Sequence, residues 1–469
     1  MPSRQTRSFA AVFVFRQIII SRLPRPANLL AWLTISLKKR NDYIANYAKY
    51  LYMIKSGVAR FFLFFIIFLS VVSSFASETA NASEKMNQTN NRIPEVELLF
   101  CKGQSILPVL LTTGQIDGYV AWQPYLALAE ESDIGKVVAL SRDFPPKGLW
   151  HNHPCCVLVA SNGILQNYPD TVVIVSAILL AGEDWAKENP GALAKVTAQW
   201  LMGDQNYTFG NNAISPESIF RRSLSTSVFS SQVNGVWNDS AQVLIERMGD
   251  ILDTIDSAQH NGSMNDRSKF MDLGPSIKAA KWIQSNDSAS SIDLRHVKNR
   301  IRIGYLMVDH QAPLFAAVKN WAYFEKKYGI ALKPDEDVNR PRYLELMING
   351  QKAADVELIS APTGQNLMTM MEQDNLDMAI VGITPAIGSI SLGCQAKIIQ
   401  PLQNEGSGLV MATASEADDW NGFVSLAKAS FAKGRPLKIG DPDLGSIADV
   451  IFQEALRASG LRGVRASGT

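Results

Sequence analysis

SILPVLLTTGQIDGYVAWQP, residues Ser105–Pro124, is the most specific local pattern in this chain. Ser105–Thr112 reads as a short helix capped by Ser105. Gly114 ends it, Ile116–Val120 is an apolar strand, and Trp122–Glu131 starts the next helix. Alternation of this kind argues for an α/β fold. Parallel sheets place polar ligand loops at the carboxyl ends of their strands, and Trp122, Gln123 and Pro124 follow this one.

The alternation continues on both sides. Val96–Phe100 (VELLF), Lys136–Leu140 and Cys156–Ala160 read as strands, and residues 167–189, 192–201, 217–224 and 241–255 as helices. A polar stretch over 257–298 holds one short helix, Ser276–Ile283, and Gln284–Val297 reads as a linker. A second block then opens with strand Ile301–Met307 and helix Leu314–Tyr328, which Gly329 ends. Strands follow at Asp355–Ser360, Leu376–Val381, Lys397–Gln400, Gly408–Met411 and Pro436–Gly440, with helices at Asn366–Glu372, Pro385–Leu392 and Ser446–Arg457. The predicted architecture is α/β, with helices packed on mainly parallel sheets.

A composition of 46% apolar and 19% charged residues over 469 residues is that of a globular protein with room for two or three cores. The net charge of +1 hides an asymmetry. Residues 1–60 carry eleven Lys/Arg against the single acid Asp42, which leaves the remainder near −9. With no basic face outside the N-terminus, nucleic-acid binding is not expected. Four cysteines do not make a disulfide scaffold, and adjacent Cys155 and Cys156 are expected as buried free thiols.

Phe61–Val72 (FFLFFIIFLSVV) follows Lys55 and Arg60 and precedes Ser74-Phe75-Ala76. That order of basic, apolar and small residues reads as a signal peptide starting at Met53, or else as a retained membrane anchor. The expected divisions are a basic extension over 1–52, the signal or anchor over 53–76 and a disordered leader over 77–92. The first block then spans 93–283, the linker 284–298, the second block 299–462 and an uninformative tail 463–469. In either reading of 53–76 the rest of the chain lies outside the cytoplasm, in the periplasm or on the outer face of the membrane.

Several stretches together resemble the extracytoplasmic solute-binding proteins of ABC importers, in the nitrate/sulfonate/taurine group. They are Ser105–Pro124, His153–Ala160 and Asp170–Gln199 in the first block. In the second they are Ile301–Met307, Ala361-Pro362-Thr363-Gly364-Gln365, LDMAIVGITP over Leu376–Pro385, and Lys438–Leu461. The resemblance implies a two-lobed type II periplasmic-binding-protein-like fold with the ligand clamped between the lobes. It implies non-catalytic capture of a small, anionic solute, no cofactor, and an ABC permease and ATPase as partners, with a membrane surface or anchor as a further contact.

The blocks stand in reversed order. The second supplies the first lobe and the start of the second lobe, whereas the first supplies the rest. Either they combine into one permuted unit, with Val96–Phe100 pairing beside Pro436–Gly440, or the chain carries pieces of truncated tandem copies. Residues 284–298 extended reach roughly 45–50 Å, enough to cross a small domain.

Candidate ligand-binding residues are those at strand ends and helix starts: Asp309, His310 and Gln311; Thr363, Gly364 and Gln365; Thr384; Gly445 and Ser446; Trp122 and Gln123. Helix N-termini and hydroxyls suit an anion, and Asp449 sits at capping-box spacing from Ser446. None of these loops contains an arginine that would fork onto a nitrate or sulfonate. The run HNHPCC, His151–Cys156, has metal-ligand residue types, but neighbouring strand residues point to opposite faces, so no metal is expected there. Nucleophile-elbow, P-loop, zincin and dinucleotide patterns are absent. The competing readings are an enzyme or pyrimidine-precursor binder on the same fold, with His310, Asp309 and His153 as its acid–base groups, and a nonfunctional fragment.

Overall fold

The computed structural model describes residues 92–209, 212–255, 266–285 and 294–466. The basic extension, the signal or anchor segment and nearly all of the leader lie outside the described residues, as do most of the linker and the last three residues. Ile93–Thr469 forms one compact unit.

Sixteen strands occur among the described residues. In chain order they are β1 Glu95–Phe100, β2 Gly118–Trp122, β3 Gly135–Leu140, β4 Pro154–Ser161, β5 Tyr207–Phe209, β6 Asn212–Ile214, β7 Ser227–Phe229 and β8 Arg300–Leu306. There follow β9 Ile330–Pro334, β10 Tyr343–Ile348, β11 Gln351–Ala361, β12 Met378–Gly382, β13 Ala396–Glu405, β14 Ser407–Ala412, β15 Lys438–Asp441 and β16 Arg462–Arg465. They build two lobes. One holds a six-stranded sheet in the order β16-β1-β15-β2-β14-β3, the other an eight-stranded sheet in the order β7-β13-β4-β12-β8-β11-β10-β9. The hairpin β5-β6 stands apart from both. Helices flank both sheets, so the α/β, two-lobed expectation holds at that level.

The sheets are mixed, which corrects the expectation of mainly parallel ones. Parallel pairing is confined to β16-β1-β15-β2 and β12-β8-β11. The other neighbours in the two large sheets run antiparallel and outnumber them. The meander β9-β10-β11 supplies two of these pairs, and crossing supplies those of β4 and β14. The chain passes between lobes twice, from β3 to β4 and from β13 to β14, and each crossing strand enters its new sheet against its neighbours.

Both ends of the described chain complete the smaller sheet. β1 pairs parallel with β15, Glu97 opposite Lys438, and on its other edge with β16, Glu95 opposite Arg462. The segment read as an uninformative tail therefore contributes an edge strand. Helix Ile447–Ala458 carries the chain from β15 over β1 to β16.

An aspartate before one strand fixes the start of its parallel neighbour in each lobe. Asp117 accepts from Lys438 N (2.8 Å) and Arg435 Nη2 (3.0 Å), which ties β2 to β15. Asp377 accepts from Arg302 N (2.8 Å) and Arg302 Nη2 (3.0 Å), and pairs with Lys298, which ties β12 to β8. One apolar core runs under both lobes. It joins Val96, Leu98 and Ile439 from one sheet to Val157, Val381 and Ile398 from the other.

The second crossing is a tight knot. Glu405 (φ +62°) and Gly406 (φ +78°) are consecutive left-handed residues between β13 and β14. Glu405 is buried; its carboxylate pairs with Arg142 (3.0 Å) and accepts from Asn152 N (2.7 Å), both on the other crossing segment. A side chain at 406 would come within 2.7 Å of His310 Nε2, so glycine is required there by space as well as by φ.

Two local expectations change. The helix read as Leu314–Tyr328 is two helices, Ala312–Lys319 and Trp321–Tyr328. Asn320 breaks it by donating its side-chain amide to Ala316 O (2.9 Å), a local bond that competes with helix continuation. Helix Leu107–Thr112 begins at Ile106 without a side-chain cap, so Ser105 does not cap it.

Candidate functional site

Six strand ends meet between the lobes. β8, β11 and β12 end on one wall, and β1, β2 and β15 on the other. Between them lies an empty space of about 530 Å³, partly open to solvent.

Each lobe contributes a helix start to this space. Helix Gly364–Glu372 is capped by Thr363, whose hydroxyl accepts from Asn366 N (3.2 Å). Helix Ile447–Ala458 is capped by Ser446, whose hydroxyl accepts from Asp449 N (3.2 Å). The rest of the capping box is shifted by one residue, since Asp449 Oδ2 accepts from Gly445 N (2.7 Å) rather than from Ser446 N. Thr363, Gly364, Gln365, Ser446 and Ile447 all line the space, so two positive helix ends face it from opposite lobes. Among the described residues the lining contains no lysine or arginine, one carboxylate, Asp443, and two aromatic rings, Trp122 and His310.

Of the residues singled out in the sequence, Trp122, His310, Thr363, Gly364, Gln365 and Ser446 line the space. The others stand behind it. Asp309 and Gln311 flank His310 in a buried turn, and Asp309 Oδ2 accepts from the Ser223 hydroxyl. Burial raises the Asp309 carboxyl above its usual range. Gln123 Nε2 donates to Thr226 Oγ1 (2.8 Å), and its Oε1 accepts from Ala127 N (3.0 Å), which makes it a brace for the following helix. Thr384 is buried in the first turn of helix Ile383–Ser391. Gly445 turns the backbone at φ +74° to let the cap form.

His153, named as an acid–base candidate, is also structural. Its Nδ1 donates to Pro154 O (3.1 Å), so its Nε2 accepts from the Ser141 hydroxyl (2.8 Å). Burial pulls its pKa down to about 4 and holds the ring neutral.

Cys155 and Cys156 line the space, contrary to the strand-alternation argument that set them aside. Both are free and buried. The pairing of β4 with β13 shifts register around Cys156 and Gln403, and the regular alternation breaks there. Both sulfurs consequently lie beside His310 Nδ1, at 3.5 Å for Cys155 and 3.7 Å for Cys156. A hydrogen bond from Cys155, and then the His310 ring, pull the Cys156 thiol down to about 6, while the Cys155 thiol is raised. Density of Cys and His in HNHPCC was the available sequence signal. The register shift that unites the two sulfurs was not visible.

Behind the Ser446 wall, Asp441 and Asp449 form a buried carboxyl pair. Burial raises both, Asp449 to about 6, and the Asp449 charge pushes Asp441 up further. A raised carboxyl binds its proton more tightly in the folded state. Its stability contribution is complete below the ordinary carboxylate pKa and is lost as pH rises through the folded value. Stability from this pair thus falls as pH rises above about 4, through the Asp449 value of about 6 and on until Asp441 ionises. Asp441→Asn is expected to shrink that decline and to stabilise the protein at pH 7 by on the order of 1–3 kcal/mol. Urea melts of both proteins at several pH values measure it. His153 contributes an opposite slope, common to both, so the difference isolates the pair. Identical pH profiles would refute this account.

Comparison with known proteins gives two findings. The model of the NMT1-like family matches residues 95–202 and 296–465, more than half of the chain. An uncharacterized protein of Methanocaldococcus jannaschii is 37% identical over 106 residues, which cover 22% of this chain and 71% of that protein.

Proposed function

Because this chain belongs to the NMT1-like family, whose fold is that of ABC-type solute-binding proteins, we propose that residues 93–466 form one solute-binding unit of permuted order that captures a small zwitterion outside the cytoplasm for an ABC importer. Capture is non-catalytic, and the type II arrangement of lobes closes over the solute. Its permease and ATPase partners read the closed state.

The observation that carries this reading is the charge pattern of the cleft. Two helix N-termini from opposite lobes offer backbone N–H groups to an anionic group. Asp443 and the face of Trp122 suit an ammonium group at the other end. Nitrate could use the helix ends but offers nothing to Asp443. An aminosulfonate such as taurine satisfies both ends. Pairing of β1 with β15 and β16 supports the single-unit reading over truncated copies, because neither block completes that sheet alone.

Thermal melts with taurine, isethionate, nitrate, bicarbonate and aminopyrimidines test it. Taurine should raise the melt saturably, by about 2.7 kcal/mol of stability at a hundredfold excess over its Kd. Isethionate, in which a hydroxyl replaces the ammonium, should bind at least tenfold more weakly. Asp443→Asn should erase that preference. Equal shifts from taurine and isethionate would sink the zwitterion reading, and no shift from any probe would sink solute capture at this cleft.

A further inference from the structure

We propose that Cys155, Cys156 and His310 form a binding site for a thiophilic metal cation of the Zn²⁺ or Cu⁺ class. This goes beyond solute capture and stands independently of it.

The three donor atoms come from elements far apart in sequence. β4 brings both sulfurs, and the turn after β8 brings the imidazole. All three lie within 4.8 Å of one another. The two S···Nδ1 separations are 3.5 and 3.7 Å. A tetrahedral ion with metal–sulfur bonds of about 2.3 Å and metal–nitrogen bonds of about 2.05 Å sets donors about 3.6 Å apart. The two sulfur–nitrogen separations bracket that value.

Two thiolates and one imidazole are soft and borderline donors, which select Zn²⁺ or Cu⁺ over Mg²⁺ or Ca²⁺. His310 is held from behind. Asp309 precedes it in a turn fixed by Ser223, and Gly406 leaves room for its Nε2 edge. Three protein ligands leave one coordination position. Because Cys155, Cys156 and His310 all line the cleft, that position opens toward the solute space, where water or a solute donor completes it. Binding needs both sulfurs as thiolates and the imidazole neutral, so whatever protons they carry leave to solvent and affinity rises with pH.

The test uses the reduced full-length protein, freed of metal with a chelator and held without solute. Co²⁺ should give a thiolate-to-cobalt charge-transfer band saturating at one ion per chain, and Zn²⁺ should displace it. Cys156→Ser and His310→Ala should each weaken binding at least a hundredfold, whereas Cys394→Ser should leave it unchanged. X-ray absorption of the Zn²⁺-loaded wild type should show two sulfur neighbours at about 2.3 Å. That measurement decides the matter even if a variant fails to fold. A shell of oxygen and nitrogen alone, or a cobalt band that survives in a folded Cys155→Ser/Cys156→Ser variant, overturns the proposal. Failure here leaves taurine binding untouched, and the converse also holds.

Discussion

Asp377→Ala is expected to destabilise the protein by about 3–5 kcal/mol, the cost of breaking a buried ion pair from one side. Its side chain is only 5% exposed, and it satisfies Arg302 twice through the side chain, Arg302 N and Lys298. Its backbone also joins β8 to β4, donating to Arg302 O and accepting from Ser161 N, both at 3.0 Å. Burial alone would raise this carboxyl, but the Arg302 and Lys298 hydrogen bonds prevail and hold it below its usual range. A lowered carboxyl contributes stability above its unfolded pKa and loses it as pH falls through the folded value. The deficit of the variant should therefore shrink below about pH 4. Asp117→Ala should cost only about 1–2 kcal/mol, because Asp117 is more exposed and Arg435 is a surface residue. Urea melts at pH 7 and pH 3 compare the three proteins. Equal losses for the two variants would show that the matching position in each lobe, not burial, sets the energy.

The second large effect is expected at the crossing between β13 and β14. Glu405→Ala should cost about 2–4 kcal/mol, since it removes a buried carboxylate from Arg142 and from the Asn152 N–H. Glu405 also holds a left-handed backbone conformation, which a residue with a Cβ adopts at a cost of about 1–2 kcal/mol. Glu405→Gly relieves that strain while losing the same contacts, so it should be less destabilising than Glu405→Ala. A double-mutant cycle with Arg142→Ala should give a coupling of about 0.5–3 kcal/mol. If glycine at 405 is as harmful as alanine, or the coupling is absent, the crossing is not held in the way described.

Strands with apolar runs, such as β12, and the helix starts at Thr363 and Ser446 were legible because turn, cap and period agreed locally. The partnership of β1 with β15 was legible from the order of the blocks. Strand direction was not, because β13 continues past the expected end at Gln400 through Pro401, Gln403, Asn404 and Glu405. These polar residues are buried where the lobes cross, and tertiary context overrode their local preference. The site was half legible for a related reason. Strand ends can be counted from the sequence, but which neighbour of a strand end faces inward depends on turns such as Asp309–Gln311 and on the register shift beside Cys156. Asp443 was missed because nothing local separates it from a surface turn.

The sandwiching of β1 between β15 and β16 also has a consequence for synthesis. At about 5–20 residues per second, the ribosome delivers the partners of β1 roughly 20–70 s after β1 itself. During that interval both backbone edges of β1 stay open to any other extended chain. The eight-stranded lobe needs no residue beyond β13, so it can close first. The six-stranded lobe waits for β15 and β16. Nascent chains stalled before Lys438 therefore expose both edges of β1 for pairing with other chains.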